Sequence, residues 1–226
     1  MGLVNLSTIK PEVQDYVANG TSANFVDPND DKITGHIFTR QELFEALGSS
    51  ATSEYFMVSA LSTYPGASMD FLNLVLCRVD NGIIDVNALY VSSSTPLSAP
   101  LTFNTNNAKN PDGKTVTAAD FTNMYNNYIN DAEPKPLHLA SDKKVKGYNF
   151  TRAMIEGLNL QDQPTSENKN DTFAFIPMIR PVDSLTQKPY LTFALAYVND
   201  GIVSGDIFDF SELCPTKCNG YQNVFM

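Results

Sequence analysis

The 226-residue sequence predicts an α+β fold of two tandem pseudo-symmetric repeats, each a helix–strand–helix unit followed by an antiparallel β-meander. Three observations predict it. The block KITGHIFTR (32–40) returns as KVKGYNFTR (144–152), so that Lys32, Gly35, Phe38, Thr39 and Arg40 recur as Lys144, Gly147, Phe150, Thr151 and Arg152 at an offset of 112. The same offset carried back pairs Ile9 with Phe121, Val13 with Tyr125, Tyr16 with Tyr128 and Val17 with Ile129. Carried forward, LNLVLCRVDNGII (72–84) lies over LTFALAYVNDGIV (191–203) at an offset of 119. Three blocks in one order, with one length change near the polar run QDQPTSENKND (161–171), predict a duplicated unit. The expected boundaries are 1–97 for the first repeat, 98–112 for a linker, 113–218 for the second repeat and 219–226 for a tail.

Each repeat opens on an amphipathic helix. Ile9, Val13, Tyr16 and Val17 fall on one helical face, with Pro11 suited to a first turn and Gly20 to a stop. In the second repeat Thr117 and Asp120 form a capping pair, and Phe121, Met124, Tyr125, Tyr128 and Ile129 supply the apolar stripe. A short strand follows, GHIF or GYNF, and runs into a second helix capped by Thr39 or Thr151. Thr39 with Glu42 matches a capping box; Leu43, Phe44 and Leu47, and then Met154, Ile155 and Leu158, are its expected buried residues, with Gly48 a stop. YFMVSAL (55–61) and FAFIPMI (173–179) are the first long strands. The second strands end at the turns Asp80-Asn81-Gly82 and Asn199-Asp200-Gly201, and third strands lie over 83–91 and 202–210. The Ser-, Thr-, Asn- and Pro-rich stretch 93–112 lacks periodicity, and its Leu101-Thr102-Phe103 step is a candidate edge strand.

Bulk properties exclude several classes of function. Net charge is −10, divided as −7 over residues 1–112 (5 basic, 12 acidic) and −3 over the rest (10 basic, 13 acidic). Neither half has a basic stripe, so no nucleic-acid binding is expected. The hydrophobic fraction of 42%, with 14 Phe and 10 Tyr but no Trp, suffices for packed cores. No apolar run approaches the roughly 20 residues that span a bilayer, so no membrane association is expected. MGLVNLSTIK lacks the pattern of a signal peptide, and Leu6 stands where a myristoylation motif takes Ser or Thr. Together these features give a cytoplasmic expectation.

The F-T-R step is the best-defined local motif. Its structural reading has Phe38 and Phe150 in the core, Thr as N-cap and Arg in the first turn, paired with an acid of the same copy. Its functional reading has Arg40 and Arg152 clamping an anion across a pseudo-twofold axis. His36, matched by Tyr148, is the candidate polar residue that differs between copies. His138 is the only other histidine, and no H-x-x-x-H or C-x-x-C occurs, so neither metal nor cofactor is expected. No G-x-S-x-G, Gly-rich phosphate loop or hydrolase-type cysteine motif is present. Of three cysteines, Cys77 is matched by Ala196 and reads as a small buried filler, whereas Cys214 and Cys218, in CPTKC, read as an exposed turn or a bridge.

With helix, F-T-R helix, two strands ending Val-Asp-Asn-Gly or Val-Asn-Asp-Gly, and the CPTKC close at 214–218, the chain resembles a group of small bacterial proteins found in Bacteroidota. Its members are typically single units, so the resemblance implies a tandem form here; it implies no activity, substrate or site. The first half departs from the pattern, with STPLS in place of the cysteine close.

The expected function is that of a non-catalytic binding or interaction protein, its partner a protein or small molecule held in a groove between two duplicated lobes. The alternative is an enzyme with its active site at the interface of the lobes. Arg40, Arg152, His36 and Tyr148 are the candidate ligand-binding residues under either reading. A catalyst should gather polar side chains that differ between the copies; a symmetric scaffold should bury them.

Overall fold

A computed structural model describes residues 2–19, 25–27, 29, 31–63, 70–91, 96–104, 108–109, 117–130, 147–180, 189–209, 212–213 and 224–225. These residues form an α+β fold of four helices and two sheets that are mostly antiparallel.

The first half contains β1 (Gly2–Val4), α1 (Leu6–Asn19), β2 (His36–Thr39), α2 (Arg40–Leu47), β3 (Glu54–Thr63), β4 (Asp70–Asp80) and β5 (Ile83–Val91). After β6 (Thr102–Asn104) and β7 (Ala108–Lys109) come α3 (Ala118–Asn130), β8 (Tyr148–Phe150), α4 (Arg152–Gly157), β9 (Thr172–Arg180), β10 (Tyr190–Asn199), β11 (Ile202–Asp209) and β12 (Glu212–Leu213). Sheet one has the order β1-β5-β4-β3-β8-β12 and sheet two the order β2-β9-β10-β11-β6, with β7 also on β11. Each meander is thus completed by the short strand of the other half: β2 pairs β9, with His36 opposite Phe175, and β8 pairs β3, with Tyr148 opposite Met57.

The strands alternate in what they bury, which explains the layering. Tyr55, Met57, Leu72, Leu74 and Leu76 from sheet one meet Phe173, Phe175, Leu191, Phe193 and Leu195 from sheet two in a central core. The opposite face of sheet one, with Phe56, Val58, Val75 and Cys77, takes Ile9 and Val13 of α1. The opposite face of sheet two, with Ile176, Met178, Ala194 and Ala196, takes Phe121, Met124 and Tyr125 of α3. Leu43, Ala46 and Leu47 of α2 and Met154 and Ile155 of α4 join the central core.

The hairpin turns follow their sequences. Asn81 and Gly82 have φ of 50° and 77°, and Asp200 and Gly201 have φ of 48° and 75°, the left-handed pairs that a tight two-residue β-turn requires. The helix caps follow in part. Thr39 and Glu42 form the expected capping box, and Thr117 and Asp120 exchange bonds of 3.0 and 3.1 Å. Thr151 sits at the N-cap of α4, but its side chain makes no cap bond and its hydroxyl is buried without a partner. The fourth residue of that box is Met154 rather than a Glu, so the reciprocal bond has no acceptor.

Two local expectations are corrected. Pro11 lies inside α1 rather than in its first turn, because the helix starts at Leu6, where the amides of Thr8 and Ile9 bond the Asn5 carbonyl. Ala46, not Phe44, completes the buried face of α2. The expected edge strand forms as β6 at the end of sheet two, and residues 97–104 are held on both sides. Leu97 exchanges backbone bonds with Thr34 and Gly35, the Leu101 amide donates to the Tyr125 hydroxyl at 2.8 Å, and β6 pairs β11 in parallel. Phe225, in the expected tail, is fully buried among the side chains under α1.

Candidate functional site

The repeated Lys-x-x-Gly-x-x-Phe-Thr-Arg block has a physical role that its sequence does not reveal: its residues grip the opposite half. In the first half Lys32 donates its ammonium to the Tyr128 carbonyl at 2.5 Å and the Ile129 carbonyl at 3.3 Å, at the C-terminal end of α3, and lies 4.8 Å from the Tyr128 ring centre. Phe38 is buried edge-on against Phe175 at 5.5 Å. The α2 amides of Arg40 and Gln41 donate to the carbonyls of Asp171 and Lys169, so the other half satisfies the open N-terminus of this helix.

Arg40 continues the grip with its side chain. Its guanidinium donates to the Asn159 carbonyl at 2.8 Å, faces the Asp171 carboxylate at 3.5 Å and lies 5.1 Å from the Phe173 ring centre. The acid is therefore in the other half, not in the same copy as the sequence led us to expect. The burden of placing a cation at a helix N-terminus is offset by this ion pair and by the ring. Arg152 differs. Its backbone amide donates to the Glu54 carboxylate at 2.9 Å, its guanidinium pairs with Glu156 one turn along α4 at 2.9 Å, and it reaches the Ser53 carbonyl at 3.5 Å. One arginine thus pairs across the halves and the other within its own helix.

The two glycines of the block also differ. A Cβ on Gly147 would lie 2.5 Å from the Phe56 ring and 2.7 Å from the Met57 carbonyl, so β8 approaches β3 more closely than any other residue allows. A Cβ on Gly35 would meet Ala174 at an ordinary 3.4 Å.

His36 and Tyr148 lie in different sheets, His36 on the edge of sheet two and Tyr148 in sheet one. Both are buried, at 0% and 2% exposure. Tyr148 donates its hydroxyl to the Leu191 carbonyl at 3.1 Å and packs edge-on against Phe193. His36 has neither ring nitrogen hydrogen-bonded, and burial holds its imidazole neutral down to about 3. Tyr55 and Tyr128 likewise donate to backbone carbonyls, of Leu43 and Ile33, and burial pushes both phenols up.

Cys77 is a buried free thiol, pushed up by desolvation. His138, Cys214 and Cys218 lie outside the described residues. Among the described residues no group of three or more His, Cys, Asp or Glu side chains converges on a point. Nor, among them, is any helix long and apolar enough to cross a membrane. Comparison with protein-family models, with curated proteins and with solved structures finds no match to this chain.

Proposed function

We propose that the chain is a tandem duplication whose halves are locked together by their exchanged F-T-R strands, and that it acts as a binding or interaction protein rather than as a catalyst. The duplication is supported by the common path β5-β4-β3-β8 and β11-β10-β9-β2 through the two sheets. Both meanders also break register at matched positions, between Cys77 and Val79 and between Ala196 and Tyr197. The halves would be two copies of the unit that the Bacteroidota group carries singly.

One observation carries the functional reading: His36 and Tyr148, the polar pair that distinguishes the copies, are buried on different sheets rather than gathered at a common opening. The surface side favours it too. Ile83 and Ile202, matched residues just after the two hairpin turns, are 71% and 43% exposed. A partner meeting either hairpin would be a protein or a small molecule, without a cofactor. At −10 net charge it would not be a nucleic acid.

Photo-reactive residues placed singly at positions 83 and 202 of the full chain test this. Discrete adducts from cell extract at one or both positions are expected. No adduct, together with turnover in a metabolite-depletion screen, would replace this reading with the enzyme at the interface of the halves.

A further inference from the structure

His36 lies on the strand that the first half lends to the second. It stands directly opposite Phe175 and two residues before Phe38, so its ring shares the core-facing side of β2. The ring is fully buried, and a neutral imidazole there forgoes both its donor and its acceptor bond. The matched Tyr148 forgoes nothing, because its hydroxyl reaches the Leu191 carbonyl.

The groups around His36 offer an imidazolium no partner. On β9 the residues of the same face are Phe173, Phe175, Pro177 and Ile179, none titratable. On α2 the core-facing residues are Leu43, Ala46 and Leu47; Glu42 is committed to the Thr39 amide, Arg40 to Asp171, and Glu45 is exposed and accepts from Gln41. Across the core, the hydroxyls of Tyr55 and Tyr148 are spent on backbone carbonyls. Next to β2, Leu97 bridges Gly35.

We propose that His36 makes the seam between the two halves acid-labile: when β2 lifts from β9 the imidazole takes up a proton, and the charged ring cannot return to the core. The device would open one of the two exchanged strands under mild acid while leaving the other, at β8, closed.

The sign follows from linkage. The closed state keeps the ring neutral down to about 3, whereas a solvated imidazole binds its proton near 6.5. Closure is therefore fully favoured above about pH 6.5 and weakens about tenfold per pH unit below it. Free carboxylates titrate near 4 and the α-amino group near 8, so histidine dominates the window from pH 7.5 to 5, and the open population should rise there about 30-fold.

Amide exchange of segments 36–39 and 172–175 in the full chain, corrected for intrinsic rates, measures that population. We expect the 30-fold rise in the parent protein and in His138→Gln, and a flat profile in His36→Gln and His36→Tyr. A flat profile in the parent, or the same rise in either His36 variant, would overturn the proposal. Should neither His36 variant fold, imidazole NMR of the parent decides: a His36 signal that titrates near pH 6.5 in the closed protein would equally overturn it, and one still neutral at pH 4.5 would support it.

Discussion

Two glycines that the sequence presents as equivalents, Gly35 and Gly147, differ in the space around them. Neither Gly35 nor Gly147 has a positive φ, so in each case an alanine is judged by space alone. At Gly147 the new Cβ would sit 2.7 Å from the Met57 carbonyl, a backbone atom that moves only if β3 moves, and 2.5 Å from a ring that is itself buried. Overpacking of this kind costs about 1–3 kcal/mol. At Gly35 the nearest atom is the Ala174 Cβ at 3.4 Å, and restricting the unfolded chain contributes about 0.4–1 kcal/mol in favour of alanine. That entropic gain is common to both variants, so they should differ by the overpacking alone, about 1–3 kcal/mol. At roughly 2–4 °C per kcal/mol for a chain of this length, Gly147→Ala should melt at least about 2 °C below Gly35→Ala. Thermal unfolding followed by circular dichroism, with both variants at one protein concentration and pH 7.5, measures the difference. Equal midpoints, or a lower one for Gly35→Ala, would refute the close approach of β8 to β3.

Tyr128→Ala should cost about 3–5 kcal/mol, because it empties a buried aromatic site, while Tyr128→Phe should cost only about 1 kcal/mol for the lost bond to the Ile33 carbonyl; chemical denaturation separates the two. Arg40→Ala should cost about 1–2 kcal/mol, and Arg40→Lys should recover only part of it, since one ammonium cannot meet the Asn159 carbonyl, the Asp171 carboxylate and the Phe173 ring together as the broad guanidinium does. A parent-like Arg40→Ala would show that the cross-half pair contributes nothing. In a Cys214→Ser, Cys218→Ser background, Cys77 should resist a thiol reagent in the native protein and react once unfolded; rapid native labelling would contradict its burial.

Local chemistry was legible in the sequence because it acts over a few residues. Asn81-Gly82 and Asp200-Gly201 announce their turns, Thr39 with Glu42 announces a cap, and the period of Ile9, Val13 and Tyr16 announces a helix face. The partner of a strand as short as β2 or β8 was not legible. β3 and β9 present the same alternation of large apolar residues, so periodicity fits β2 on its own neighbour as well as on the other half's. The acid facing Arg40 was missed for the same reason, since Asp171 lies far along the chain in a polar run without pattern. A three-residue strand such as β1 and a lone Phe225 carry too few residues to show any period.

Cross-strand NOEs in the 226-residue chain test the exchange of β2 and β8. Antiparallel pairing brings Ile37 opposite Ala174 and Asn149 opposite Phe56. Backbone NOEs between the two members of each pair are the expected result. NOEs from Ile37 to β3 and from Asn149 to β9 would place each short strand in its own half and contradict the account.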